Sequence, residues 1–223
     1  MLREPAIAAL LLVATPAAAQ DVDTQFWLSG SLQADVVSHL PVSLDTTARF
    51  GDAADGLYEW ARGGFAGYRT DGDVELLGGY QRVTGYRGGQ VTRLEQRIRQ
   101  QVTVPVAKLF GGTLTSRTRI EERFRRGTGG MGLRIREQVR FTLPLRKGGP
   151  SFMAWHESFL EANDTRWGSN AGLRRMRNYL GFELPLTREL RAQAGYLNQY
   201  DFGVGGKRDA MANVLLLSIG AKF

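Results

Sequence analysis

The sequence predicts an all-β fold: a transmembrane, antiparallel, up-and-down β-barrel of about 10–12 strands with a charged lumen. Three observations predict it. Apolar and polar side chains alternate every second residue through segments bounded by Gly, Asp, Asn or Pro clusters, and no long segment carries a capped helical period. The segments are long enough to cross a bilayer at a tilt, which takes roughly 9–11 residues per strand. The polar face is dense with arginine, which no soluble sandwich can bury in its core. In a closed barrel, apolar residues meet lipid, charge fills the lumen, and every backbone N–H and C=O is paired around the ring.

Residues 1–19 come before any strand. MLREPAIAALLLVATPAAA has one Arg, a short apolar run, Pro16 and then Ala17-Ala18-Ala19. That is the layout of a cleaved secretory signal peptide, and the run is too short for a comfortable transmembrane helix. Export through the general secretory route is expected, with residues 20–223 forming the barrel. The net charge of +7 is unchanged by cleavage, because Arg3 and Glu4 cancel. A basic chain suggests nucleic acid, but an exported one does not meet it, so no nucleic-acid partner is expected. With no cysteine, the chain can form no disulfide, lipidated N-terminal Cys or Cys zinc site. No cofactor or metal is expected.

The strands are read, in order, at 24–34, 41–50, 57–68, 73–86, 91–104, 109–126, 131–146, 151–162, 173–186, 190–202 and 211–223. In the fifth, Arg93, Glu95, Arg97 and Arg99 oppose Leu94, Ile98 and Val102. In the sixth, Arg117, Arg119, Glu121, Arg123 and Arg125 oppose Leu114, Thr118, Ile120 and Phe124. In the seventh, Arg134, Arg136, Gln138 and Arg140 oppose Met131, Leu133, Ile135, Val139 and Phe141. In the ninth, Arg175, Arg177, Tyr179 and Glu183 oppose Met176, Leu180, Phe182 and Leu184. Residues 146–151 and 186–189 read as short periplasmic turns, and 163–172 and 203–209 as outer loops. Eleven segments are legible, whereas single-chain bacterial barrels have even counts, so ten or twelve strands are expected. Trp27, Trp60, Tyr68, Tyr80, Tyr86, Trp155, Tyr196 and Tyr200 partly fit interfacial girdles.

The lumen set is Arg93, Glu95, Arg97, Arg99, Arg117, Arg119, Glu121, Arg123, Arg125, Arg134, Arg136, Arg140, Glu157, Arg177 and Glu183, with Asp45, Glu75 and Asp201 as further acids. Intramembrane charges pair with one another, so one reading is an Arg/Glu network that plugs a narrow barrel of structural or small-solute role without catalysis. The other uses the same residues as a narrow, porin-like, anion-preferring channel, since Arg rings favour anions. Small anionic solutes are the expected ligands if there are any.

A further constellation lies in AWHESF. With Glu157 facing the lumen, His156 and Ser158 share the lipid face. This His-x-Ser resembles the pattern in outer-membrane lipid A deacylases, where a His-activated serine attacks an acyl ester. Glu137, on the lipid parity of the preceding strand, completes a possible Ser158–His156–Glu137 set for a lipid-modifying esterase. RGTGGMGLR joins two strands and opens no helix, so it is not a phosphate-cradling loop.

TQFWLSGSL, LGGYQRV, SRTRIEERF, RIREQVRFTLPL, the Glu-Ser-Phe of WHESFLEAND, RNYLGFEL and AGYLNQYD span nearly the whole mature chain in order. In this the chain resembles a family of Gram-negative outer-membrane barrels catalogued only as a domain of unknown function. The resemblance implies an outer-membrane barrel and no established activity. Outer-membrane lipid and lipopolysaccharide would surround it, and the barrel-assembly machinery would insert it. The final strand, NVLLLSIGAKF, ends on Phe223 in phase with its apolar face, which resembles the C-terminal assembly signal of such barrels.

Overall fold

A computed structural model describes residues 21–223; the signal-peptide expectation for residues 1–19 lies outside them. Eleven strands are present among the described residues: β1 (Asp21–Val37), β2 (Leu40–Gly51), β3 (Gly56–Arg69), β4 (Glu75–Arg87), β5 (Gln90–Leu109), β6 (Gly112–Arg125), β7 (Met131–Pro144), β8 (Ser151–Glu161), β9 (Gly172–Pro185), β10 (Leu190–Asp201) and β11 (Ala210–Lys222). They close into one barrel, each strand pairing with its neighbours in sequence and β11 with β1.

The count corrects the even number expected. In a closed meander each hairpin reverses direction, so an odd number of strands leaves the first and last running the same way. β1 and β11 are accordingly parallel, in register from Asp21↔Ala210 to Gln33↔Lys222, while every other pair is antiparallel. A parallel ladder satisfies backbone groups as fully as an antiparallel one, so closure leaves no open edge.

Alternation sorts the faces. On β11, Leu215 and Ile219 are exposed outward while Ala212 and Val214 are buried inward. Leu28, Leu44, Leu76, Ile98, Ile120, Val139, Leu160, Leu180 and Tyr196 likewise present apolar surface outside. An apolar exterior around a charged interior is the inverse of a soluble protein and suits hydrocarbon. Phe223 is on the outward side, 73% exposed. Its N–H donates to the carbonyl of Gln33 at 2.9 Å.

β1 extends three residues beyond the expected 24–34 at each end, and the largest difference lies between β5 and β6. β5 runs five residues past the expected end at 104, to Leu109. Pro105 cannot donate to a ladder, and a register shift between Pro105 and Ala107 accommodates it without ending the strand. Residues 109–111 are therefore not the start of β6. Phe110 and Gly111, both at positive φ (52° and 81°), make the tight hairpin turn instead. The turns after β1, β3, β5, β7 and β9 share the rim where β11 ends, including 186–189 and 146–151. The longer connections 162–171 and 202–209 lie at the far rim.

Candidate functional site: the charged lumen

The inward parities of β2 to β9 meet in a belt of carboxylates and guanidinium groups. Glu95 and Glu121 are 0% exposed and Glu157 is 2%. Glu95 takes Arg97 Nε at 2.7 Å and Arg123 Nε at 2.9 Å. Glu121 takes Arg136 Nη1 at 2.7 Å, with Arg134, Arg97 and Arg119 at 3.6–3.9 Å. Glu157 takes Arg117 Nη2 at 2.5 Å and Arg136 Nη2 at 2.7 Å, with Arg177 at 3.9 Å. Near the far rim, Glu161 takes Arg123 at 2.9 Å and Arg134 at 2.5 Å. Each carboxylate thus serves at least two arginines from more than one strand. A buried charge left alone costs several kcal/mol, and Arg's planar fork suits multiple partners.

Aromatic rings supply faces where acids run short. The Arg177 guanidinium sits 4.7 Å from the rings of both Trp27 and Phe159. Arg99 lies 3.9 Å over Phe65, donates to Asp45 at 2.8 Å and reaches the carbonyls of Gly64 and Tyr80. Stacking of this kind stabilises a desolvated cation. The wall formed by β1 and β8–β11 is apolar inside, where Trp27, Met153, Tyr179, Leu197, Ala212 and Val214 form one buried cluster. Trp27 and Trp155 therefore belong to the lumen, not to an interfacial girdle. Trp27 is 3% exposed, and Trp155 stacks on Tyr179 at 5.2 Å.

Two cavities flank the belt. One of about 440 Å³ opens toward the β11-end rim and includes Asp45, Arg99, Arg117, Arg119, Arg140 and Lys222. The other, about 390 Å³, lies toward the far rim between Tyr58, Glu59, Arg93, Arg175 and Asp201. Arg49 lines both. It pairs with Glu59 and lies 4.2 Å over Trp27, so its head group stands in the partition between them.

Every residue of the sequence-derived lumen set faces inward. Arg93 pairs with Glu59, and Arg125 donates to the Trp167 carbonyl. Glu183 stands apart from the belt, accepting from Arg191 at 2.8 Å and Gln193 at 2.9 Å. Arg140 forms no ion pair or hydrogen bond among the described residues, and its Nε is buried without a partner. Sequence reasoning passed over Arg49, Glu59 and Glu161, and the rings of Phe65 and Phe159. Glu161 continues the parity of Glu157, and Glu59 that of Ala61 and Phe65, so both were legible; the register shift between Arg49 and Phe50 skips Tyr58 and leaves Glu59 in phase.

The 162–171 connection, expected as a plain outer loop, folds over the lumen. Trp167 takes Arg123 and Arg125 against its ring at 5.1 and 4.6 Å, and Ser169 Oγ donates to Glu161 at 2.8 Å.

On the outer face, His156 Nε2 and Ser158 Oγ are 2.9 Å apart, and His156 Nδ1 meets Asn178 Oδ1 at 2.8 Å. Glu137 is opposite Ser158 in the ladder, but its carboxylate accepts from Ser116 and Thr118. Asn178 therefore occupies the orienting position for which the sequence offered Glu137.

A sequence family described as "Protein of unknown function (DUF2490)" matches residues 24–210. An uncharacterised protein of Methylorubrum extorquens is 33% identical over 198 residues, covering 86% of each chain. Among solved structures, outer-membrane expressed OmpT of Vibrio cholerae is 14% identical with a TM-score of 0.42, over 73% of this chain and 56% of that one. Its L8 loop-deletion mutant is 15% identical with a TM-score of 0.42, over 77% and 60%. The chain thus spans less than two thirds of either solved structure.

Proposed function

The chain belongs to the DUF2490 family, whose description assigns no activity, and from that premise we propose that it is a non-catalytic outer-membrane barrel of structural or small-solute role, its lumen closed by the Arg/Glu belt. The observation that carries this reading is the complete burial of Glu95 and Glu121 mid-lumen, each held by several guanidinium groups. A water-filled pore would leave such carboxylates accessible. Placement in the Gram-negative outer membrane is supported by the closed barrel and its apolar exterior, since hydrocarbon admits strands only in a ring without edges.

Planar-bilayer recording tests it. The folded wild type gives no steady unitary current. Arg49→Ala, which removes the head group shared by the two cavities, gives a measurable one. A steady, anion-selective current through the wild type would establish the channel reading in its place.

One observation favours a second reading, a lipid-directed esterase. With Asn178 Oδ1 accepting from Nδ1–H of His156, the lone pair of Nε2 is left to accept the Ser158 hydroxyl proton, as a general base requires. Ser158 Oγ would attack an acyl ester, with His156 returning the proton to the leaving alcohol. Yet His156 is midway along the 11 residues of β8, so the ester would have to enter the acyl layer, and the non-catalytic reading leads for that reason. Mass spectrometry of lipid A from cells carrying Ser158→Ala decides: identical acyl patterns with and without the hydroxyl would remove the esterase.

A further inference from the structure

Guanidinium groups outnumber carboxylates on the β11-end side of the belt. The cavity of about 440 Å³ is lined by eight arginines and Lys222 against Asp35, Asp45 and Glu75. Those three acids are engaged, Asp35 and Glu75 by Arg69 and Asp45 by Arg99. The belt acids offer no relief either, since Glu157 is shared by Arg117, Arg136 and Arg177. Arg119 has Gln101 as its hydrogen-bond partner and no carboxylate nearer than 3.9 Å. Arg140 has no carboxylate within ion-pair distance and no hydrogen-bond acceptor among the described residues, and its Nε is buried without a partner.

These cations share one wall. Arg140 is opposite Thr115 on the neighbouring strand, and Arg117 is opposite Thr103 and Gln138, so Arg117 and Arg140 are diagonal neighbours on the same face. Arg117 has only a share of Glu157, and Arg119 and Arg140 have no carboxylate in close contact, so guanidinium groups held this close repel one another, which lowers stability unless an anion joins them. The guanidinium fork matches phosphate or carboxylate oxygens, and a dianion answers several forks better than a monoanion does.

We infer that the β11-end cavity is a binding site for a small phosphate-bearing solute. Arg117, Arg119 and Arg140 hold its phosphoryl oxygens, with the Thr103 and Thr115 hydroxyls at the same wall. The volume falls in the range of small-ligand cavities and admits inorganic phosphate or a compact phosphate monoester. This rests on the small-solute reading above and gives it a ligand class: a barrel closed at mid-lumen presents the anion site to one side of the membrane only.

The test uses the full folded chain in detergent micelles, titrated calorimetrically at low ionic strength with inorganic phosphate and, separately, with glycerol phosphate. Wild type binds, and Arg140→Gln weakens binding by about tenfold, as loss of one charge-assisted contact should. Because Arg140 holds no partner, its denaturation midpoint stays level or rises, which a structural arginine would not allow. Lys207→Gln, in the far-rim connection, binds as wild type does. Absence of phosphate binding by the folded wild type, or equal affinity in Arg140→Gln, overturns the site. Preference for glycerol phosphate over inorganic phosphate supports an organic monoester; the reverse supports the free ion. Conductance separates the two proposals, because phosphate binding together with steady wild-type current would refute closure and leave the site standing.

Discussion

Arg99 shows how single positions are fixed. Its guanidinium reaches two backbone carbonyls, Asp45 and the Phe65 ring because Gly63 leaves the space open. A Cβ at Gly63 would lie 2.2 Å from the Tyr80 carbonyl oxygen and 2.7 Å from Arg99 Nη2. Backbone cannot yield there, so Gly63→Ala should destabilise the folded barrel by roughly 1–3 kcal/mol, the usual cost of overpacking. Urea unfolding in vesicles measures this. Gly78→Ala, where the added atom meets nothing within 4 Å, is the control expected to leave the midpoint unmoved. The sequence shows that Arg99 faces inward, because parity alone decides that. It does not show that Gly63, 36 positions earlier, makes room for it, because that depends on which strands are neighbours and in what register.

At the scale of elements, the strands are the legible part and the connections are not. A two-residue alternation is written locally, so boundaries agree to within about three residues except at the end of β5, where the strand runs on past Pro105. Connections 162–171 and 202–209 carry Gly and polar residues that read as free loops, yet both are tied down by side chains. In the second, Asp209 accepts from the Tyr200 hydroxyl and, at 2.7 Å, from the N–H of Gly203. These two donors, the Tyr200 hydroxyl first, hold the Asp209 carboxyl below its ordinary value. A carboxyl with a lowered folded value contributes fully above its unfolded value and loses that contribution as pH falls through the folded one. The clasp is therefore intact at neutral pH and loosens only below about 3.8, the ordinary aspartate value. Hydrogen exchange at the Gly203 amide should keep its protection factor down to that pH and lose it below. Asp209→Ala should lose it at every pH, and a protection factor indifferent to Asp209 would dismiss the clasp.

The whole molecule is a ring whose strand number, closure and lumen are one decision. Eleven strands enclose a lumen narrow enough for arginine side chains from several strands to share one acid, as Arg117 of β6, Arg136 of β7 and Arg177 of β9 share Glu157 of β8. The apolar wall of β1 and β8–β11 fills the remaining cross-section. A wider ring would separate these groups and hydrate them. The proposed closure at mid-lumen and the proposed one-sided anion site both rest on this narrow circumference.

Architecture and most of the sorting of faces are written in the sequence: a β-barrel, its Arg/Glu belt inside and most of its large aliphatic residues outside, with the strand boundaries to within a few residues. Those follow from periodicity and from the energetic cost of charge in hydrocarbon, both local properties of each segment. The odd strand count, the parallel seam of β1 with β11, the folding of Trp167 over the lumen, and Asn178 in place of Glu137 beside His156 come instead from closing the ring. So do the allocation of acids among the arginines and the lack of one at Arg140. Each of these joins residues far apart in the chain, and the register that brings them together is set by closing the ring, not by any one strand.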